Sequence, residues 1–218
     1  MNRKFAKRVE SIDISGIRKI FESAGPNAVN MGLGQPDFDT PYHIKQAAID
    51  AIIDGFTGYT ANLGILELRQ ALRDKFMQEN HFDVAPDDII ITSGASEALH
   101  IALLALVEPG DEVLVPDPGF VSYRALSGFA GGNVVGVPLS ENFTLTADTV
   151  AEHITGRTRV LFINSPSNPT GSVQTRDEIK ELCRLAEDHN ITILSDEVYE
   201  HFIYSGEHVS PASLYENT

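Results

Sequence analysis

The sequence predicts an α/β protein built on a mostly parallel sheet flanked by helices. Two observations carry that expectation. From Asp88 onward, short runs of β-branched and aliphatic residues alternate with helix-length segments, the pattern of successive strand–helix–strand units. The clearest unit runs from Val160-Leu161-Phe162-Ile163, through a segment opened by Thr175 with Glu178 three residues on, to Ile191-Thr192-Ile193-Leu194. Thr and Glu at that spacing form a capping box, so a helix starts at Thr175. Strands joined by a crossover helix are parallel neighbours. Their carboxyl ends then open on one crevice, where open α/β sheets bind ligands. The first strand leads into Asn164-Ser165-Pro166-Ser167-Asn168-Pro169-Thr170-Gly171, and the second into Ser195-Asp196-Glu197-Val198-Tyr199. Asn168, Asp196 and Tyr199 are therefore expected around one crevice, which suits a cofactor.

The remaining elements follow in order. A helix is expected from Asp13 to Ser23, stopped by Gly25-Pro26, and then a Gly/Pro/Asp-rich loop from Val29 to Asp39. Thr40 has the chemistry of an N-cap, and Pro41 suits the first helical position. That helix should run to about Asp54 and stop at Gly55. Ile65, Leu68, Leu72 and Phe76 recur at helical spacing and predict an amphipathic helix. Ile89-Ile90-Ile91-Thr92 reads as a buried strand. Ala95 to Val107 is a helix apolar nearly all round, expected to be covered on most sides. Val113-Leu114-Val115 is a strand, Tyr123 to Phe129 a helix, Val134-Val135-Gly136-Val137 a strand and Ala147 to Ile154 a short helix. The closing segment, Ser213 to Thr218, supplies no further strand. Because such a sheet would keep open edges, the chain is expected to be the front part of a longer protein.

Composition narrows the function classes. With 218 residues, 42% of them hydrophobic, the chain can bury a core. A net charge of −15 argues against nucleic acid or an anionic membrane as partner. The single cysteine, Cys183, cannot form an internal disulfide, which fits a reducing compartment. No apolar run reaches membrane-spanning length, and Met1-Asn2-Arg3-Lys4-Phe5 lacks the apolar core of a signal peptide. A cytoplasmic location is expected. The seven histidines show no close pairing of the zinc type, so no metal is expected. His201 and His208 flank a Ser205-Gly206 turn and are expected to be solvated or capping, and His100 a satisfied core histidine.

Two more strand ends carry chemistry. In Thr92-Ser93-Gly94-Ala95-Ser96-Glu97 a strand runs through small residues straight into a helix. Free N–H groups and the positive end of the helix dipole make an anion site there, with the Ser96 hydroxyl as a further donor. It is not a P-loop, for no lysine follows the glycine at the required place. In Asp117-Pro118-Gly119-Phe120 the phenyl ring can stack on a flat ligand. Each residue also has an ordinary structural use: the Gly94 turn as a plain turn, Phe120 as core filling, Asp196 as an ion-pair member or helix cap, Tyr199 as packing. The functional reading rests on their convergence.

Taken together, Gly34-Gln35-Pro36-Asp37-Phe38, Tyr59-Thr60, Gly94-Ala95-Ser96-Glu97-Ala98-Leu99, Asn168-Pro169-Thr170-Gly171 and Asp196-Glu197-Val198-Tyr199 resemble the class I/II aminotransferases. These are pyridoxal-phosphate enzymes of the aspartate aminotransferase fold (fold type I). The resemblance extends from Ser15-Gly16-Ile17-Arg18 to Tyr199 and is strongest to the prokaryotic branch with archaeal aspartate and aromatic aminotransferases. It implies residues 1–30 as a segment of the small domain and residues 31–218 as an incomplete large, cofactor-binding domain, truncated before the C-terminal domain. It also implies a homodimer that moves an amino group between an L-amino acid and a 2-oxo acid.

By the same resemblance, Asp196 pairs with the pyridine nitrogen, which improves the cofactor as an electron sink. Asn168 and Tyr199 donate to the ring's 3-oxygen, and Asp196 and Tyr199 are the catalytic residues in this chain. Gly94, Ala95 and Ser96 form the phosphate cup, and Phe120 stacks on the ring. Tyr59 reaches the phosphate in the neighbouring subunit. Gly34 and Asn168 lie near the substrate. The family's Schiff-base lysine is expected beyond Thr218, so the chain by itself is expected to be inactive. Some aspartate-preferring members carry a lysine at the position of Ser96, and its lack here weakens a strict dicarboxylate preference. A carbon–sulfur β-lyase of the same fold and a non-catalytic pyridoxal-phosphate-binding sensor are the alternative functions.

Overall fold

A computed structural model describes residues 36–218, together with Val29 and Gly34. The helix expected from Asp13 to Ser23, the Ser15-Gly16-Ile17-Arg18 stretch and most of the loop before Asp37 lie outside the described residues. The described chain falls into two compact units that meet in sequence between Asn62 and Leu63.

The first unit carries helix α1, Tyr42–Ile53. Its start differs by one residue from the sequence reading. Pro41, with ψ at 140°, is itself the N-cap and no side chain caps the helix. Its carbonyl accepts from the Ile44 and Lys45 N–H groups at 3.1 and 3.2 Å. Thr40 instead donates its own N–H to Asp39 Oδ1 at 2.8 Å. The helix stops at Asp54, and Gly55 takes the positive φ of 80° that only glycine adopts cheaply.

The second unit opens with α2, Leu66–Lys75, which runs on into a π-turn over Phe76–Asn80. Leu72 and Phe76 are half-buried, but Ile65 and Leu68 are exposed. The buried residue of α2 is Arg69. Its guanidinium is satisfied by Gly64 O at 3.2 Å, Pro86 O at 2.6 Å and Asp87 Oδ1 at 3.0 Å.

Then come α3 (Ala95–Leu106), β1 (Glu112–Asp117), α4 (Val121–Ala130), β2 (Asn133–Pro138), α5 (Ala147–Ala151), β3 (Thr158–Asn164), α6 (Arg176–His189) and β4 (Thr192–Asp196). The four strands form one sheet in the order β2-β1-β3-β4, every pair parallel. Alternate strand residues point to opposite faces, and both faces are covered. Val113, Val115, Val160 and Phe162 pack with Leu99 and Leu103 of α3 and Tyr123 of α4. Leu114, Leu161, Ile163 and Ile193 pack with Val150 of α5 and Ile179, Leu182 and Ala186 of α6. Coverage on two sides is why these strands read as unbroken apolar runs. The Thr175 capping box is formed: Thr175 Oγ1 accepts from Glu178 N, and Glu178 accepts from Thr175 N.

Two expectations need correction. Residues 89–92 are not a strand: Ile89 is buried, but Ile90 is 51% exposed. A strand requires a ladder, and the backbone bonds there are local turns, Ile89 N to Pro86 O at 3.3 Å and Gly94 N to Thr92 O at 2.8 Å, plus one to a separate segment, Ile91 N to Leu63 O at 3.0 Å. Helix α3 is covered along one stripe only, by Leu99 and Leu103, while Leu104 is 56% and Ile101 42% exposed. Apolar composition gave no direction for its buried face.

Candidate functional site

The carboxyl ends of β3 and β4 stand in register, Ile163 beside Ser195 and Asn164 beside Asp196. By the two-residue strand period, Asn164 and Asp196 lie on the face shared with Phe162 and Leu194. Asn164 is buried and uses its whole side-chain amide. Its Nδ2 donates to Asp196 O at 2.9 Å and Pro166 O at 3.1 Å, and its Oδ1 accepts from Asn168 N at 2.7 Å. One side chain thus ties the loop carrying Asn168 to the strand end carrying Asp196. Across that junction Asn168 Nδ2 approaches the Tyr199 hydroxyl at 3.4 Å. Ser165–Pro166 and Asn168–Pro169 are cis peptides.

Asp196 is 9% exposed. Its Oδ2 accepts a 2.7 Å hydrogen bond from the Tyr123 hydroxyl, and its Oδ1 accepts from Val198 N at 3.3 Å. Tyr123, 1% exposed, is stacked on Phe162 with ring centroids 4.5 Å apart. Burial pushes its phenol far above the ordinary value, and the neighbouring Asp196 carboxylate pushes it further. The phenol therefore keeps its proton and serves as a fixed donor. Phe120, half-buried, meets Tyr123 edge-on at 5.5 Å.

The turn into α3 has the anion-site features. Gly94 has φ 82° and ψ 167°, a conformation open to glycine alone, and no side chain caps the helix. The Ser93 N–H donates to the Glu97 carboxylate, and the Glu97 and Ala98 N–H groups bond Gly94 O at 3.2 and 3.4 Å. Among the described residues no acceptor is found for the Ala95 and Ser96 N–H groups, the two left at the positive end of the helix.

Asp196, Asn168 and Tyr199 are thus brought together, and Phe120 joins them through Tyr123. Gly94, Ala95 and Ser96 occupy an exposed turn at the head of α3, which packs on the same sheet face as Tyr123. Gly34 and Tyr59 lie in the other compact unit, and both are exposed.

Two contributors escaped the sequence reading. Tyr123 was placed only as a helix start. Its signal is an aromatic with a polar tip three residues after Phe120, on a helix facing the sheet. Asn164, the final residue of a buried strand, has the signal of an amide where the ladder ends. Two histidine expectations also fail. His208 is neither solvated nor a cap: its Nε2 lies 2.6 Å from Glu197 Oε2, and its side chain is 11% exposed. His100 is not satisfied, since its buried Nδ1 has no partner among the described residues. It meets Phe129 edge-on at 6.2 Å.

Ligand atoms of Glu79, Glu200 and His201, and of Glu197, Glu200 and His208, lie within 4.8 Å of one another. Lys75 bonds Glu200 in the first group, and the His208–Glu197 bond spans the second. The charges there are met by protein groups. No helix among the described residues is long and apolar enough to cross a membrane.

A parallel sheet with a buried carboxylate and convergent polar groups at its strand ends defines an α/β protein with a ligand crevice. Residues 26–217 match the family described as Aminotransferase class I and II, and the chain belongs to that family. It is 47% identical over 206 residues to a probable aspartate aminotransferase of Methanocaldococcus jannaschii, covering 94% of this chain and 55% of that protein. It is 46% identical over 192 residues to an aspartate/prephenate aminotransferase of Thermus thermophilus, covering 87% and 50%. Among solved structures, aspartate aminotransferase from Thermus thermophilus with maleate superposes with a TM-score of 0.94 at 41% identity, covering 97% of this chain and 58% of that one. The chain spans about half the length of the curated relatives it matches.

Proposed function

We propose that the intact protein is a pyridoxal-phosphate-dependent aminotransferase and that this chain supplies most of its cofactor pocket. The observation that carries the reading is Asp196, a buried carboxylate at the end of β4 with Tyr123 on one oxygen, beside the paired Asn168 and Tyr199. A donor set of this kind fits the cofactor group by group. Asp196 accepts from the protonated pyridine nitrogen. Asn168 and Tyr199 donate to the 3-oxygen. The free Ala95 and Ser96 N–H groups, the Ser96 hydroxyl and the Gly94 turn suit a phosphate dianion. Phe120 covers the ring, and Gly34 and Asn168 lie near the substrate, Gly34 close to its α-carboxylate. Tyr59 reaches the phosphate of a second copy, which makes the protein a homodimer. The division into residues 1–30 and 31–218 as small-domain segment and cofactor-binding domain belongs to the same reading, as does a cytoplasmic location.

Bound there, pyridoxal phosphate supplies an electron sink for the pair left when a substrate Cα loses its proton. The chain's own residues orient and tune. Tyr123 keeps Asp196 aimed and desolvated, so that its charge is spent on a single partner. Asn164 fixes the spacing between Asp196 and Asn168. The Schiff-base lysine that acts as base belongs to the part of the family beyond Thr218, so the residues 1–218 alone are inactive in this reading.

The test uses the intact protein with pyridoxal phosphate, 2-oxoglutarate and aspartate, aromatic or alanine donors. Glutamate formation with any donor, lost by at least about a hundredfold in Asp196→Ala, is the expected result. Cleavage of cystathionine without glutamate formation would make it a β-lyase, and cofactor binding without turnover a sensor. Absence of cofactor binding would sink the reading altogether.

A further inference from the structure

Tyr199 sits on a single turn after β4, closed by Glu200 N to Glu197 O at 2.9 Å and Phe202 N to Tyr199 O at 2.8 Å. One isolated turn has little stability of its own, so its flanks decide where Tyr199 points. The contact to Asn168 is too long at 3.4 Å to fix the hydroxyl. Both flanks are carboxylates held from outside the crevice. Glu197 accepts from Ser210 Oγ at 2.9 Å and pairs with His208 Nε2 at 2.6 Å. Glu200, next to Tyr199, is gripped from the far end of α2. It pairs with the Lys75 ammonium, and its other oxygen accepts from Asn80 Nδ2 at 2.7 Å. Asn80, 4% exposed, accepts from Lys75 Nζ at 2.6 Å and closes the triangle. Lys75 and Glu200 side chains are 23% and 19% exposed.

Burial pushes the Glu200 carboxyl up, but the Lys75 and Asn80 hydrogen bonds outweigh it and hold the group below its ordinary value. A half-buried ion pair adds little net stability. What this one does is geometric: it ties the turn to the end of α2, with a longer contact of His201 Nε2 to Glu79 Oε2 at 3.6 Å beside it.

We infer that Lys75, Asn80 and Glu200 are positioning residues for Tyr199, setting its hydroxyl opposite Asn168 for a bound cofactor. The inference rests on the pyridoxal-phosphate reading above. Its test measures pyridoxal phosphate affinity in the intact protein, with the pH at which the bound cofactor's absorbance titrates. The variants are Lys75→Met, Tyr199→Phe, their double variant and Lys75→Arg. Lys75→Met is expected to weaken affinity roughly tenfold and to move the titration in the direction that Tyr199→Phe moves it. Within the Tyr199→Phe background it should add less than about twofold. Lys75→Arg should stay close to the wild type, and Glu200→Gln should repeat Lys75→Met if the latter folds poorly. An equal effect of Lys75→Met with and without the Tyr199 hydroxyl overturns the inference, as does no effect where Tyr199→Phe has one. Wild-type protein that takes up no pyridoxal phosphate fails the underlying reading instead, and the inference falls with it.

Discussion

The Tyr123 hydroxyl donates a 2.7 Å hydrogen bond to Asp196 Oδ2 across a space from which water is almost excluded, the two residues being 1% and 9% exposed. They are 73 positions apart in the chain. Tyr123 comes from the start of α4 and Asp196 from the last position of β4. A buried carboxylate is costly unless its oxygens are met, and here the meeting is done by a phenol that burial keeps protonated.

Tyr123→Phe isolates that hydroxyl, because the ring stacked on Phe162 stays in place. The variant should lose about 1.5–3 kcal/mol of stability, the range for a hydrogen bond to a charged group. Pyridoxal phosphate affinity should fall about tenfold. Denaturant titration and equilibrium dialysis measure the two effects. Unchanged affinity would show that Asp196 is aimed without Tyr123.

Asn164→Asp keeps the shape and the acceptor for Asn168 N but replaces a donor with an oxygen facing the carbonyls of Asp196 and Pro166. We expect it to cost more than Asn164→Ala, itself about 2–3 kcal/mol from unsatisfied buried groups. Urea midpoints at constant m-value decide the order. The reverse order would mean that the amide donors carry no weight.

Thr175→Ala removes one half of the capping box at the head of α6 and should destabilise by about 1 kcal/mol. Thr175→Ser should be nearly neutral. A shift in the thermal midpoint of the alanine variant alone is the expected readout.

Cys183 is 4% exposed, and burial pushes its thiol from 9.0 up to about 11. A group that ionises less readily when folded lends stability that is fully present below the unfolded pKa. That contribution is lost as pH rises from about 9 through about 11. Cys183→Ala should therefore show a flatter decline in stability over that alkaline window than the wild type. At neutral pH a thiol reagent should label Cys183 no faster than the protein opens.

Much of this was legible in the chain. The alternation after Asp88 foretold the parallel sheet, since strands covered on both faces must be apolar throughout. The Thr175–Glu178 spacing marked the start of α6 to the residue. The Ile89–Thr92 run misled because β-branched residues record a preference for extended backbone, whereas a strand needs a neighbour to pair with. Helix α3 misled in a related way: its apolar content was right, but only Leu99 and Leu103 found a surface to bury against. His208 was misjudged because its partner Glu197 lies 11 positions away, beyond the reach of a turn-based reading.

Residue order alone carried the fold class, the parallel order of the last two strands and the meeting of Asn168 with Asp196 and Tyr199, because periodicity and capping are local and a crossover helix makes its two strands parallel. Their supporting partners emerge from the folded packing. Tyr123 on Asp196, Asn164 between two strand ends and Lys75 on Glu200 are pairings over 32 to 125 positions for the contacts across strands and helices. Nothing in local composition encodes such pairs. They exist because packing α4 on the sheet, pairing β3 with β4 and bringing the end of α2 to the turn after β4 set donors within reach of acceptors far away in the chain.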